Sequence, residues 1–191
     1  CEGLTTYEEL TDTVRAYASA NPERSVLMGN GMSYTFGPNN SIPNRHDLDA
    51  ILADRPLVLR AFDYHTVFAN TKALEMAGIL HGGLAGGGSE IVMGADGLAT
   101  GELRESGAFD YVLNLAPKLS ESQKRALLRK GLALAAGYGI TSVHNMDGSL
   151  EQLQLYASME AAGEMTVRVN VPLHVVPETS LAGLQEAITM R

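Results

Sequence analysis

The second half of the chain constrains the fold most, because its predicted elements alternate between helix and strand. Ser120 and Ser149 each stand three residues before a glutamine, which is the spacing of a helix-capping box. From residue 120 onward the pattern predicts a helix, a strand at 140–144, a second helix, a strand at 167–176 and a final amphipathic helix. This alternation is typical of a parallel sheet whose strands are joined by helices, so we expect an α/β fold.

The first half of the chain contains one strand that is expected to be buried on both faces. Residues 57–62 form an almost continuous apolar run, as in strands covered on both sides. Helices are predicted before it, at 6–20, and after it, at 70–77. The glycine-rich segment 82–101 ends near an Asp-Gly hairpin signal and predicts an inserted β-rich region. We expect residues 1–191 to form a single domain that includes this insertion.

Composition excludes several classes of function. The chain has 191 residues and a formal net charge of −8, and such an acidic surface disfavours nucleic acid as a partner. No apolar run has the length that a membrane span requires, so no membrane association is expected. Cys1 is the single cysteine, which excludes an internal disulfide and a multi-cysteine zinc site. This cysteine usage favours a reducing compartment, and we therefore expect a cytoplasmic protein.

Polar residues at the ends of predicted strands are the first candidates for chemistry. In parallel α/β folds the active site lies at the carboxyl ends of the strands. Three histidines fall there, each accompanied by other polar residues: His65 with Asp63, His144 with Asn145 and Asp147, and His174 with Glu178. Three imidazoles could bind a transition metal, but no two of them are close in sequence. Each histidine could equally be a loop residue bonded to the backbone.

Two other groups of residues have simpler interpretations. Glu102 and Glu105 precede a predicted helix, where acidic side chains commonly interact with the helix dipole. Gly29-Asn-Gly31 lacks the third glycine of a dinucleotide fingerprint, and the glycines at 86–88 lack the Lys-Ser/Thr of a phosphate loop. We expect both glycine clusters to form turns.

The order of several short motifs is more specific than any one of them. The series consists of Arg45-His-Asp-Leu-Asp49, Arg55-Pro-Leu-Val-Leu59, Asp63-Tyr-His65, Phe68-Ala-Asn70, Ala77-Gly-Ile79, Thr100-Gly101 with Glu105, and Gly137-Tyr-Gly-Ile-Thr-Ser-Val143. In this order and spacing it resembles the YtcJ-like branch of the amidohydrolase superfamily, amidohydrolase family 3. The resemblance covers nearly the whole chain.

This resemblance implies a metal-dependent hydrolase on a (β/α)8 TIM-type barrel that cleaves amide-like, non-peptide C–N bonds of a small molecule. The family holds a divalent metal, zinc being the ion we expect, with a His-x-His pair and with a lysine, two histidines and an aspartate from later strands. No His-x-His occurs in this sequence. The chain is therefore expected to be an internal portion of a longer enzyme, a partial barrel that is inactive and metal-free by itself. A partial barrel leaves sheet edges uncovered, so self-association is also expected.

The same resemblance implies roles for individual residues. His65 matches the histidine of the family's Asp-Gly-His segment, and Glu105 matches a glutamate that follows a Thr-Gly turn; both are predicted to be catalytic. Asn70 matches an asparagine after that histidine and is predicted to bind substrate, as is His144 at its strand end. Tyr64 stands where the family usually has glycine. Two alternatives remain open: a self-contained α/β binding or scaffold module, and a compact metalloenzyme that uses three histidines.

Overall fold

Two units built on different sheets make up the chain, Cys1–Lys118 and Leu119–Arg191. The computed structural model describes residues 1, 3–146, 148–173, 175 and 179–189. Three of the predicted strand-end residues, Asp147, His174 and Glu178, lie outside the described residues. The prediction of one domain over residues 1–191, with an insertion at 82–101, stays a prediction.

In the described part of the first unit, the centre is a mixed five-stranded sheet. Its strands are β1 (Leu27–Met32), β2 (Leu57–Ala61), β3 (Thr66–Ala69), β4 (Glu90–Met93) and β5 (Ala99–Arg104). They lie in the order β1-β2-β3-β5-β4, with β1 parallel to β2 and all other neighbours antiparallel. The helices of this unit are α1 (Tyr7–Ala20), α2 (Arg45–Ile51), α3 (Thr71–Met76) and α4 (Ser106–Leu113), with a short 3-10 turn at Pro38–Asn40.

Strand β2 is buried on both faces, as its apolar run predicts. Val58 belongs to a core cluster with residues of α3 and α4, whereas Leu57 and Leu59 belong to a second cluster with residues of α1 and α2. All three side chains are about 1% exposed. Alternate residues of the strand thus fill two separate cores, one on each side of the sheet. The sheet can bury both faces only because helices cover them both.

The strands of this unit test two local predictions and include one strand that was not predicted. The hairpin is confirmed, because β4 and β5 pair antiparallel around Gly97, which has a φ of 76°. Strand β3 was missed, because its four residues, between the predicted strand and the predicted helix, were assigned to no element. The expected turn at Gly29-Asn-Gly31 was wrong, since these residues lie within β1 and pair with β2.

The second unit has the alternating order that its capping boxes predict. Its elements are α5 (Glu121–Gly137), β6 (Ser142–His144), α6 (Leu150–Ala161), β7 (Arg168–Asn170) and α7 (Gln185–Thr189), and β6 pairs parallel with β7. Both capping boxes, at Ser120 and Ser149, are present. Among the described residues of the predicted strand 167–176, only Arg168–Asn170 pair with β6. The small core of the second unit is formed by Leu132, Met159 and Val167.

The mixed α/β class is confirmed in both units. The described residues form no closed barrel, since their strands lie in one five-stranded sheet and one two-stranded sheet. No helix in this part of the chain is both long enough and apolar enough to cross a bilayer.

An ion-pair cluster joins α5 to the segment that follows α6. The carboxylate of Glu164 accepts hydrogen bonds from Arg129 at 2.8 and 3.0 Å and from Arg125 at 3.2 Å. The bonds from Arg129, followed by those from Arg125, lower the pKa of Glu164 from 4.5 to about 2. A carboxylate whose pKa is lowered on folding stabilises the folded state above its unfolded pKa, and the effect is lost as the pH falls through the folded pKa.

We therefore expect the Glu164→Gln variant to lose less stability than the wild type as the pH falls from 4.5 to 2. The measurement is the thermal midpoint of both proteins across this pH range, followed by circular dichroism. Glu160→Gln serves as the matched control, because Glu160 is an exposed glutamate at the end of the neighbouring helix. Equal pH slopes for Glu164→Gln and the wild type would contradict the assignment.

Candidate active site

The turn between β2 and β3 carries the first predicted catalytic residue. His65 follows the carboxyl end of β2, which is parallel to β1, as predicted, but the next element is β3 and not the expected helix. The residues Phe62–His65 instead reverse the chain between two antiparallel strands. Tyr64 has a φ of 68°, and its amide donates to the carbonyl of Ala61 at 3.1 Å. The left-handed backbone at this position explains why glycine suits it in the resembling family.

His65 and Glu105 are brought together by the sheet although 40 residues separate them in sequence. The imidazole Nδ1 lies 3.1 Å from Oε1 and 3.3 Å from Oε2 of the carboxylate. The amide of Glu105 also donates to the carbonyl of His65 at 2.9 Å. The side chains are 68% and 49% exposed, so a small molecule can reach both. A backbone and a side-chain hydrogen bond therefore connect the turn that carries His65 to the residue before α4.

Glu105 lies where an acidic partner of the helix dipole is expected, and its side chain is hydrogen-bonded to His65. It occupies the position before α4, but its side chain makes no capping hydrogen bond. Its backbone has a φ of 62° and a ψ of 165°, a region that is essentially restricted to glycine and costs another residue about 1–3 kcal/mol. Glu102, its predicted companion, is instead buried and accepts from Nε of Arg104 at 2.8 Å. Strained backbone of this kind concentrates at functional sites, and here it occurs on both sides of the pair, at Tyr64 and Glu105.

The contact between the two side chains determines which nitrogen of the imidazole is free. An ionised carboxylate only accepts hydrogen bonds, so Nδ1 of His65 must carry the hydrogen that Glu105 binds. In the neutral imidazole, Nε2 then keeps its lone pair and can accept a proton or a hydrogen bond. The arrangement is suited to general acid–base chemistry at an exposed position.

Asn70 lies in the core rather than in an open site. Its side chain is 0% exposed and caps α3 by accepting from the amide of Ala73 at 2.9 Å. The same oxygen accepts from the amide of Leu57, and the side-chain nitrogen donates to the carbonyls of Leu52 and Arg55. These four bonds use the hydrogen-bonding groups of the amide, so a substrate could bind it only after some of them broke.

His144 belongs to the second unit and ends β6, as predicted. Its exposed side chain lines an open cavity of about 300 Å³ together with Asn145, Tyr156 and apolar residues of α5. The Asn145 amide donates to the hydroxyl of Tyr156 and to Gln152, both at 2.9 Å. His144 thus borders a cavity of the second unit.

Arg60 is a site residue that our sequence analysis missed. It is the one charged residue inside the apolar run 57–62, and it lies directly before the turn that carries His65. A charged residue inside a strand that is otherwise buried needs a partner, and this is the signal that could have identified it. The guanidinium carbon lies 4.9 Å from the ring centroid of Tyr64 and 5.0 Å from that of Phe109.

The family that the sequence resembles implies a metal, but the described residues do not fit one. Among them no group of three or more His, Cys, Asp or Glu side chains could hold a metal ion. The three-histidine metal site stays a hypothesis, because His65 and His144 belong to different units and His174 lies outside the described residues. Within the described residues, the candidate site is therefore the hydrogen-bonded pair of His65 and Glu105.

Comparison with known proteins identifies the family to which the chain belongs. The profile of the "Amidohydrolase family" matches residues 2–189, so the chain belongs to the amidohydrolase family. A similar curated protein is "Putative amidohydrolase YtcJ" of Bacillus subtilis (strain 168), with 26% identity over 176 residues. That alignment covers 90% of this chain and 33% of the relative.

Two crystal structures have a similar fold. Both are of uncharacterized metal-dependent hydrolases, one from Pyrococcus horikoshii OT3 and one from Pyrococcus furiosus. The first has a TM-score of 0.55 at 19% identity and covers 97% of this chain and 34% of its own. The second has a TM-score of 0.53 at 20% identity and covers 98% of this chain and 35% of its own. The chain thus spans about a third of the length of the proteins it matches.

Proposed function

We propose that this chain is the central portion of a metal-dependent hydrolase that acts on amide-like, non-peptide C–N bonds of a small molecule. The family match and the one-third coverage of longer relatives support this proposal. In it, the two units are part of an incomplete (β/α)8 TIM-type barrel, and the chain by itself is inactive. The divalent metal, for which we propose zinc, is bound by residues other than the described ones.

The hydrogen-bonded pair of His65 and Glu105 is the observation that carries the proposal. The carboxylate of Glu105 lies 3.1 Å from Nδ1 of His65. This contact holds the imidazole in the tautomer that leaves Nε2 free. Nε2 then accepts a proton from a reacting group or donates one to the leaving nitrogen, depending on its protonation state. Hydrolysis of an amide-like bond requires a proton on the departing nitrogen, and the pair can supply it.

The two residues predicted to bind substrate, His144 and Asn70, have different proposed roles. His144 contributes an exposed imidazole beside its cavity, where it could hydrogen-bond a polar substrate group. Asn70 acts indirectly, because its four hydrogen bonds hold the start of β2 against α3. We further propose a cytoplasmic location, no nucleic-acid partner, and self-association of the isolated chain through the edge strands β1 and β4.

The proposal predicts that hydrolysis depends on both side chains of the pair. In a protein extended to the length of the relatives, His65→Gln should lower kcat by roughly 100- to 10,000-fold, the usual contribution of a general acid or base. Glu105→Gln should lower it less, because the amide oxygen can still accept from Nδ1. The measurement is the rate of hydrolysis of a panel of N-acyl amines with added zinc.

The controls separate catalysis from folding and from adventitious metal. His81→Gln changes an exposed loop histidine of the same unit and should leave kcat unchanged. The isolated chain should contain almost no metal by mass spectrometry and should hydrolyse none of the panel. Stoichiometric zinc in the isolated chain would overturn the proposal that the metal is bound by other residues. A metal-loaded longer protein that binds the amides without hydrolysing them would favour the binding module.

A further inference from the structure

We propose that Arg60 is a positioning residue that holds the turn Phe62–His65 so that His65 faces Glu105. The inference rests on the proposed function, because that function gives the pair its catalytic role. Arg60 lies on β2, opposite Val67 of β3, and its side chain extends along the hairpin towards the turn. Its hydrogen bonds go to the carbonyl of Tyr64 and not to the imidazole or the carboxylate, so it acts on the pair through the turn.

The guanidinium of Arg60 joins the two segments that carry the pair. On the side of the turn, Nε and Nη2 donate to the carbonyl of Tyr64 at 3.3 and 3.0 Å. The same group stacks on the Tyr64 ring and on the ring of Phe109, at 4.9 and 5.0 Å. Phe109 lies one turn into α4, the helix that begins immediately after Glu105. Arg60 thus links the residue before His65 to the helix after Glu105.

The backbone of Tyr64 needs such support. A φ of 68° is unfavourable for a tyrosine, and the turn would relax if nothing compensated. Two charge-assisted hydrogen bonds to the Tyr64 carbonyl and one cation–π contact with its ring oppose this relaxation, while the contact with Phe109 anchors the guanidinium to α4. Both interactions act on Tyr64 itself, one on its carbonyl and one on its ring.

Release of Tyr64 would affect His65 directly. The amide of His65 is tied to Asp63 Oδ1 at 3.1 Å, and its carbonyl accepts from the amide of Glu105 at 2.9 Å. A rotation at Tyr64 turns the peptide that precedes His65, so these bonds cannot both persist. The imidazole then loses its orientation towards Glu105, and the Nδ1–H tautomer loses the acceptor that favours it.

The tautomer of His65 is therefore the readout, measured on the chain itself by ¹⁵N NMR at alkaline pH, where imidazoles are neutral. In the wild type, His65 should be mainly the Nδ1–H tautomer. Arg60→Met should remove this majority, and so should Arg60→Lys, since lysine keeps the charge but lacks the planar fork that binds one carbonyl twice. Arg24→Met is the matched control, because Arg24 also lies over a tyrosine ring, that of Tyr17, elsewhere in the unit.

A rescue variant separates positioning from general stabilisation. Glycine adopts a φ of 68° without strain, so Arg60→Met combined with Tyr64→Gly should restore most of the Nδ1–H tautomer. An unchanged tautomer in folded Arg60→Lys or Arg60→Met would overturn the proposal, as would a double variant that stays at the level of Arg60→Met. Since the readout needs no turnover, it is independent of whether the longer protein hydrolyses amides.

Discussion

Replacing Asn70 with alanine is expected to lower the free energy of unfolding by about 3–5 kcal/mol, although the residue was predicted to bind substrate. The side chain makes four hydrogen bonds of 2.7–3.0 Å, all to backbone groups. The amide of Leu57 and the carbonyls of Leu52 and Arg55 lose this partner together, whereas the amide of Ala73 keeps a bond to the backbone carbonyl of Asn70 at 3.1 Å. A buried polar group left unsatisfied costs about 1–3 kcal/mol, and water can reach only some of these groups.

The measurement is urea denaturation of the variant and the wild type, followed by circular dichroism and fluorescence of the tyrosines. Asn114→Ala is the matched control, because Asn114 is an exposed asparagine that follows α4 in the same unit. It should change the free energy of unfolding by less than about 0.5 kcal/mol. A similar, small effect of both substitutions would show that the Asn70 bonds are replaced by water, and would return Asn70 to the list of accessible polar residues.

The sequence predicted those parts of the fold that depend on neighbouring residues. The capping boxes at Thr6, Ser120 and Ser149 form as their spacing indicates, because each needs only residues three positions apart. The buried strand 57–61 and the hairpin at Gly97 were also found, since apolar runs and an Asp-Gly pair are local signals.

The features that failed depend on contacts between distant residues. Strand β3 has four residues, and what makes it a strand is antiparallel pairing with β2 and β5, which no local pattern contains. Strand β7 was predicted to continue to residue 176, but among its described residues only three find partners on β6. Pairing, rather than apolar character, therefore sets the length of both strands.

The candidate site was predictable in its members but not in its geometry. The family resemblance named both His65 and Glu105, yet only the pairing of β3 with β5 places them within hydrogen-bond distance. Arg60 was missed because its partners, Tyr64 and Phe109, lie on a turn and a helix that the sequence does not show to be adjacent. Asn70 was assigned to substrate because burial of its amide could not be seen in the motif that contains it.

Replacing Gly101 with alanine is expected to destabilise the first unit by about 4 kcal/mol, with a reduced yield of folded protein. Gly101 lies in β5 with a φ of 103°, which a side chain rarely tolerates. An added Cβ would lie 2.5 Å from the carbonyl oxygen of Ala69 and 2.9 Å from the amide nitrogen of Arg45. Both are backbone atoms, one at the end of β3 and one at the start of α2, so neither can move without displacing an element that packs in the core.

The hairpin provides a control that separates this collision from the backbone strain. Gly97 also has a positive φ, of 76°, but a Cβ there meets nothing within 4 Å. Gly97→Ala should therefore cost only the strain of the left-handed backbone, about 1 kcal/mol. The measurement is the urea midpoint of both variants. Equal losses would mean that the close approach of β5 to Ala69 and Arg45 relaxes freely, whereas a loss several times larger at Gly101 places the constraint at the junction of β3, β5 and α2.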